Sequence, residues 1–126
     1  MKDFSDKTIV VIDDNDSIIM LFRALLEAHH ATVISFNRGR AFLEQASGLS
    51  ADLILLDIQM PDIDGYRVLE ELQTMPEMAS IPVIALTAHA MSGDKESILE
   101  TGFEGYIAKP VDTRDFPEQI AHFLGC

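Results

Sequence analysis

The stretch LILLDIQMPDIDG, Leu53–Gly65, decides the fold of this 126-residue chain. Four consecutive apolar residues run directly into Asp57, and a loop with two further carboxylates follows. A continuously apolar segment of this kind is typical of a strand covered on both faces, as in a parallel sheet. The stretch therefore predicts a buried strand that presents an aspartate at its carboxyl end. That aspartate could react, bind a metal or cap the turn.

The same apolar pattern recurs along the chain, and segments with helical spacing separate its copies. The further predicted strands are Thr8–Ile12, Ala31–Phe36, Pro82–Leu86 and Tyr106–Ala108. Five β-then-α units give roughly 25 residues per unit, a normal size for an α/β protein. Because crossovers between parallel strands are right-handed, we predict a three-layer, doubly wound α/β fold with helices on both faces of one sheet.

Three helix termini carry specific signals. Asp16 is placed to cap the first helix, whose apolar face would hold Ile18, Leu21, Leu25 and Ala28. Gly102 is a suitable end for the fourth helix. Pro117 falls within the fifth, where it is tolerated only if Asp115 is the cap and the proline lies in the first turn. We therefore expect a late or irregular start for that helix.

Composition excludes several classes of function. A formal charge of -12 and a pI near 4.4 repel phosphate backbones, so direct nucleic-acid binding is not expected. No apolar run approaches the roughly 20 residues needed to span a bilayer, and the first residues lack a signal-peptide core. The single cysteine, Cys126, fits a reducing compartment. We expect one domain over residues 1–126, located in the cytoplasm and not inserted in a membrane.

Functional groups follow four of the five predicted strands. They are Asp13 and Asp14 after the first, Asp57 after the third, Thr87 after the fourth and Lys109 after the fifth. In an open parallel sheet these ends meet at one edge, where ligands bind. Clustered carboxylates repel one another without a cation, and Mg²⁺ suits such oxygen ligands. With an ammonium and a hydroxyl added, the set can cradle a phosphoryl group, which a carboxylate can accept as an acyl phosphate.

Four motifs give the chain a resemblance to a known family. They are VIDD at Val11–Asp14, LLDIQMPDIDG at Leu55–Gly65, ALTA at Ala85–Ala88 and YIAKP at Tyr106–Pro110. In this order and spacing the chain resembles the receiver domain of two-component response regulators over essentially its whole length. The segment LTAHAMSGD is similar to stand-alone receivers of the cell-fate type and to receivers within hybrid kinases. The resemblance implies a flavodoxin-like (βα)5 fold with strand order 2-1-3-4-5. Because the sequence ends at the fifth predicted helix, we expect no output domain in this chain.

The resemblance also implies a phosphoacceptor and a metal site. Asp57 would take a phosphoryl group from a phosphohistidine on a sensor kinase or a phosphotransfer protein. Asp14, Asp57 and the backbone carbonyl of Gln59 would bind Mg²⁺, with Asp13 acting directly or through water, and Mn²⁺ is expected to substitute.

Further residues would complete the site and its switch. The resemblance implies that Lys109 pairs with the phosphoryl oxygens, that the Ala88 amide adds a donor and that the Lys109–Pro110 peptide is cis. On phosphorylation Thr87 would swing toward the phosphoryl group and Tyr106 would move inward into the space it leaves. This rearrangement would change the face formed by the fourth helix, fifth strand and fifth helix, where an effector protein would bind.

Two positions are expected to tune the site rather than define it. Gln59 and His89 flank the phosphoryl position in the family and affect phosphoryl lifetime, although an exposed loop histidine is the simpler interpretation of His89. The expected protein is a monomer or weak dimer that accepts a phosphoryl group and loses it slowly, without turnover of small substrates. Whether it is a full-length regulator or a receiver excised from a larger chain stays open.

Three alternatives compete with this interpretation. An aspartate-nucleophile phosphatase would place a second acid where Gln59 stands, and it would need room for a cap domain. A calcium loop would use Asp62, Asp64 and Glu71, but its first ligand position is Met60. A degenerate receiver acting only through protein contacts would not need the complete acidic set of Asp13, Asp14 and Asp57. We expect Asp62 and Asp64 to shape the turn before the third helix and to cap that helix.

Overall fold

Five parallel strands form one sheet in the order β2-β1-β3-β4-β5. The computed structural model describes residues 3–88 and 92–125, and only the backbone of residues 92–94. The strands are β1 (Thr8–Ile12), β2 (Thr32–Phe36), β3 (Leu53–Asp57), β4 (Val83–Thr87) and β5 (Gly105–Ala108). The helices are α1 (Asp16–Glu27), α2 (Gly39–Gln45), α3 (Gly65–Gln73), α4 (Ser92–Thr101) and α5 (Phe116–Leu124), and a 3-10 turn, Ala46–Gly48, follows α2. The predicted fold class and strand order are confirmed.

Two apolar layers explain why the strands are continuously apolar. Successive strand residues point to opposite faces, so each face receives every second side chain. On one face, Ile54 and Leu56 of β3 join a cluster with buried residues of α2, α3 and α4. On the other face, Leu53 and Leu55 of the same strand pack with buried residues of α1 and α5. Both faces are covered, so neither can carry polar residues without cost.

The cap of α1 differs from the prediction. Asn15, not Asp16, is the N-cap: its backbone is extended (φ -93°, ψ 107°) and its side chain accepts hydrogen bonds from the amides of Ser17 and Ile18. Asp16 is already the first helical residue. Asparagine and aspartate are comparable capping residues, so the sequence pattern left the start uncertain by one position.

The buried stripe of α1 also differs from the prediction. Phe22 and Leu26 are its fully buried side chains, whereas Ile18, Leu21 and Leu25 are only partly buried against the same cluster. Ala28 was predicted on this face but is exposed, because the helix ends at Glu27 and Ala28 is its C-cap.

The predicted helix ends of α4 and α5 are confirmed. Helix α5 starts late, with Asp115 as its N-cap and Pro117 in the first turn, where a missing amide costs little. The amides of Asp115 and Phe116 instead donate to the Asp112 carbonyl in a preceding turn. Helix α4 ends before Gly102, whose φ of 120° is a conformation that side chains other than glycine rarely adopt.

Candidate functional site

The register of the sheet brings the predicted residues to one edge. Ile12 pairs with Leu56 across β1 and β3, so the residues that follow, Asp13 and Asp57, are neighbours. In the pairing of β3 with β4, Asp57 lies beside Leu86, and Leu86 comes one residue before Thr87. Thr87 in turn pairs with Ala108 of β5, one residue before Lys109, whose backbone N–H donates to the Thr87 carbonyl at 2.8 Å. Three strand pairings therefore align four functional positions from distant parts of the chain.

Three carboxylates converge at this edge. One oxygen from each of Asp13, Asp14 and Asp57 lies within 4.8 Å of the others. Asp13 is fully buried and Asp57 is 5% exposed, while Asp14 faces solvent. Such a set of hard oxygen ligands, open to water on one side, fits Mg²⁺, which keeps several water ligands when proteins bind it. These residues could hold the metal that the resemblance implies.

Lys109 partly neutralises the carboxylate cluster. Its Nζ lies 2.7 Å from Oδ2 of Asp13 and 3.4 Å from Oδ1 of Asp57. The Lys109–Pro110 peptide that follows is cis, as the resemblance implies. The ammonium therefore enters the site from the end of β5 and contacts two buried carboxylates at once.

Backbone amides orient both buried carboxylates. The Asn15 N–H donates to Oδ1 of Asp13 at 2.9 Å, and the Gln59 N–H donates to Oδ1 of Asp57 at 3.2 Å. Each donor lies two residues after its acceptor, in the loop that leaves the strand. The Gln59 residue is exposed, and its amide contact with Asp57 is one that the sequence interpretation did not include.

The burial of the cluster changes its proton affinities. Desolvation raises the pKa of Asp57, and the charge of Asp13 raises it further, while Lys109 and the Gln59 amide offset part of this rise. The resulting pKa is about 7. Burial alone would lower the pKa of Lys109, but the hydrogen bond and charge of Asp13, with the charge of Asp57, raise it above its usual value. Without a metal, Asp57 therefore binds a proton readily while Lys109 stays charged.

The loop after Asp57 is held by a close backbone approach. A Cβ at Gly65 would lie 2.7 Å from the Asp57 carbonyl oxygen and 2.7 Å from Cα of Ile58, so only glycine fits without a backbone shift. The Gly65 N–H donates to the Ile58 carbonyl at 2.7 Å. Helix α3 therefore starts directly against the end of β3.

The other two carboxylates of this loop serve different helices. Asp64 is the N-cap of α3 and accepts from the Arg67 amide at 2.9 Å, which confirms its predicted role. Oδ2 of Asp62 instead accepts from the Arg40 amide at the start of α2, at 3.0 Å. Asp62 therefore ties the loop to α2 rather than capping α3. The two side chains do not form the calcium loop considered from the sequence.

The predicted switch residues Thr87 and Tyr106 lie on the neighbouring strands β4 and β5. Thr87 is buried at the end of β4, and Ala88 follows it as an exposed residue. Tyr106 is half-buried on β5 and packs against the apolar cluster shared with α3. His89 lies outside the described residues.

An open groove of about 540 Å³ runs beside Tyr106. Side chains of α4, β5 and α5 line it, including Leu99, which is 50% exposed, and Phe123. Lys95 of α4 also approaches Tyr106, with its Nζ 5.4 Å from the ring centroid. The sequence gives no signal for this contact, because an exposed helical lysine is commonplace.

Comparisons with known proteins agree on one family. The family model of the response regulator receiver domain matches residues 9–121. The polar-differentiation response regulator DivK of Brucella anthropi is 41% identical over 119 residues, which cover 94% of this chain and 97% of that protein. Within residues 3–88 and 92–125, no helix combines the length and apolar character needed to cross a membrane.

Solved structures agree as well. The receiver domain of a sensor histidine kinase from Pseudomonas aeruginosa, with a magnesium ion coordinated in its active-site cleft, is 28% identical, with a TM-score of 0.85 over 95% of this chain and 98% of that chain. The Vibrio cholerae chemotaxis protein CheY4, at 20% identity, shares the fold with a TM-score of 0.86, over 93% of this chain and 98% of that chain.

Proposed function

The chain belongs to the response regulator receiver domain family, and on that premise we propose that Asp57 is the phosphoacceptor of a two-component signalling switch. The observation that carries the proposal is the convergence of three carboxylates within 4.8 Å, with Lys109 in contact with two of them. Family membership alone would also allow a degenerate receiver. A complete acidic set around Lys109, which contacts two of its carboxylates, supports an active one.

The chemistry assigned to Asp57 is transfer from a phosphohistidine. A carboxylate oxygen of Asp57 forms the new P–O bond, and the P–N bond to the donor histidine breaks. The donor nitrogen leaves with the bonding electron pair, and Asp57 carries an acyl phosphate. The position of Asp57 at the end of β3, oriented by the Gln59 amide, supports this role, since the carboxylate is held in one orientation.

Asp13, Asp14, Asp57 and the Gln59 backbone carbonyl would hold Mg²⁺, with Mn²⁺ as a substitute. When bound, the metal neutralises charge on the carboxylates and on the phosphoryl oxygens. The clustering of the three carboxylates supports this ligand set. Asp13 also anchors Lys109 within reach of Asp57, so that the ammonium can pair with a phosphoryl oxygen.

The remaining roles concern the switch. The Ala88 amide would donate to the phosphoryl group, and the Thr87 hydroxyl would turn toward it. Tyr106 would then move inward and change the groove between α4, β5 and α5. Gln59 and His89 would set phosphoryl lifetime through access of water. The half-buried position of Tyr106 beside an open groove supports a ring that can move between two environments.

We assign the partners by the same chemistry. The donor is a histidine kinase or a histidine phosphotransfer protein, and an effector protein binds the α4-β5-α5 face. We propose a single receiver domain over residues 1–126, in the cytoplasm, acting as a monomer or weak dimer. Its phosphoryl acceptance and slow loss are self-catalysed, without turnover of small substrates.

The test is phosphorylation by a small donor. The protein is incubated with Mg²⁺ and acetyl phosphate, and its intact mass is measured. We expect an adduct of about 80 Da, the mass of one phosphoryl group, on the wild type and none on Asp57→Asn. A wild type without the adduct, or an Asp57→Asn variant that carries it, would refute the assignment.

Two controls sharpen this test. Asp64→Asn removes a carboxylate from the same loop but keeps a side chain that can cap α3, so it should be phosphorylated like the wild type. Incubation with p-nitrophenyl phosphate separates the switch from a phosphatase. Sustained multiple turnover of that ester would favour the hydrolase.

A further inference from the structure

We propose that Lys95 is a positioning residue for Tyr106, holding its ring in the unphosphorylated arrangement and so opposing the switch. The inference rests on the proposed function, because it assumes that Tyr106 moves when Asp57 is phosphorylated. It adds a residue on α4 that sets how easily that movement occurs.

The contact has the geometry of a cation–π interaction. Nζ of Lys95 lies 5.4 Å from the centroid of the Tyr106 ring, within the range of roughly 6 Å over which a cation is attracted to an aromatic face. Lys95 is exposed and Tyr106 is half-buried, so the ammonium reaches the ring from the solvent side while keeping its hydration. At such exposed sites the attraction shifts an equilibrium by roughly two- to fivefold.

The contact matters because few of the described side chains of α4 are buried. Among its described side chains, residues 95–101, Ile98 is the only buried one. Leu99, one residue further, is 50% exposed. The contact between Lys95 and Tyr106 therefore adds a second link between the described side chains of α4 and the sheet.

The direction of the effect follows from the site. Tyr106 lies on β5, three residues before Lys109, which directly follows the strand and whose backbone N–H donates to the Thr87 carbonyl. A movement of the Tyr106 ring away from Lys95 loses the attraction. The contact therefore stabilises the arrangement in which the site carries no phosphoryl group, and its removal should favour the switched state.

The first experiment examines the protein without a phosphoryl group or an analogue of one. The chain has no tryptophan and two tyrosines, so Tyr66→Phe leaves Tyr106 as the only tyrosine. Tyr66 packs edge-on against Phe103, a contact that phenylalanine keeps. In this background we compare Lys95→Met, Lys95→Arg and the control Lys7→Met by NMR of the Tyr106 ring. We expect Lys95→Met to shift the ring resonances, Lys95→Arg to restore them and Lys7→Met to leave them unchanged.

The second experiment measures the switch. Beryllium fluoride with Mg²⁺ serves as a phosphoryl analogue, and its apparent affinity is titrated in each variant. Because coupling is reciprocal, Lys95→Met should bind it roughly two- to fivefold more tightly than the wild type, and Lys95→Arg should bind it like the wild type. Unchanged or weaker binding in Lys95→Met would overturn the inference.

The two experiments separate the inference from the function on which it rests. Ring resonances that do not respond to Lys95→Met refute the contact without using any phosphoryl group. A wild type that neither forms the acetyl phosphate adduct nor binds the analogue refutes the proposed function, whatever the ring resonances show. Ring resonances that shift equally in Lys95→Met and Lys95→Arg would also overturn the cation–π assignment.

Discussion

Nζ of Lys109 donates to Oδ2 of Asp13 at 2.7 Å, although 96 residues separate the two in the chain. Asp13 is fully buried, so its charge would be strongly disfavoured without this partner. Asp57 lies farther from the same ammonium, at 3.4 Å. Lys109 is therefore engaged chiefly by Asp13 in the metal-free protein, and of the two buried carboxylates Asp57 is the one whose charge is less compensated.

The stability of the metal-free protein should reflect the raised pKa of Asp57. Between pH 3.8, the ordinary pKa of an aspartate side chain, and about pH 7, the folded state binds a proton that the unfolded state has released. The contribution of Asp57 to stability therefore falls as pH rises through this window, by roughly 2–4 kcal/mol in total. Other carboxylates contribute their own pH dependence, so the measurement is the difference between wild type and Asp57→Asn in urea unfolding with EDTA.

Asp57→Asn should accordingly have a higher free energy of unfolding than the wild type at pH 8. This difference should disappear near pH 4. The reason is that an amide in the same position carries no charge to be desolvated or to repel Asp13. A difference in unfolding free energy that stays constant from pH 4 to pH 8 would contradict the raised pKa.

Magnesium should stabilise the protein through the same cluster. When Mg²⁺ exceeds its dissociation constant by roughly 10- to 100-fold, the free energy of unfolding should rise by about 1.4–2.7 kcal/mol. Asp57→Asn and Asp14→Asn should lose most of this increase, because each removes a carboxylate ligand. The matched control is Asp6→Asn, which removes an exposed carboxylate outside the cluster. Equal stabilisation of all these variants by Mg²⁺ would indicate binding elsewhere.

Lys109→Met should destabilise the metal-free protein at neutral pH by about 1–3 kcal/mol, since it leaves the buried Asp13 carboxylate without its cation. It should also bind Mg²⁺ more tightly, because the carboxylates then have no internal counter-charge. The free energy of unfolding with and without Mg²⁺ gives both quantities. Lys7→Met, which removes a lysine outside the site, should change neither quantity. Weaker Mg²⁺ binding in Lys109→Met than in the wild type would show that Lys109 and Mg²⁺ do not compete for the carboxylates.

Gly65→Ala should cost about 1–3 kcal/mol of stability, because its Cβ would meet backbone atoms of Asp57 and Ile58 at 2.7 Å. Gly48→Ala is a matched control, since a Cβ there has no heavy atom within 4 Å. That variant should be neutral or stabilised by about 0.4–1 kcal/mol through reduced freedom of the unfolded chain. Chemical denaturation of the two variants provides the comparison, and similar losses in both would count against a steric origin at Gly65.

The buried strands and their parallel arrangement were predictable because they depend on apolar patterns within short segments, whereas the strand order followed only from the family resemblance. The run from Leu53 to Leu56 predicted a strand covered on both faces, and both faces are covered. The late start of α5 was predictable for a local reason, since Pro117 cannot donate an amide. The α1 cap was misassigned to Asp16 because asparagine and aspartate cap equally well, and only the extended backbone of Asn15 distinguishes them.

The sequence by itself determined which chemical groups stand at the carboxyl ends of the strands, and parallel strands necessarily bring those ends to one edge. Only the tertiary structure decided how the groups share that edge. The preference of Lys109 for Asp13, the raised pKa of Asp57 and the reach of Asp62 to α2 depend on distances between segments far apart in the chain. Exclusion of water around the buried carboxylates then sets the strength of their interactions with Lys109, and no local sequence pattern encodes it.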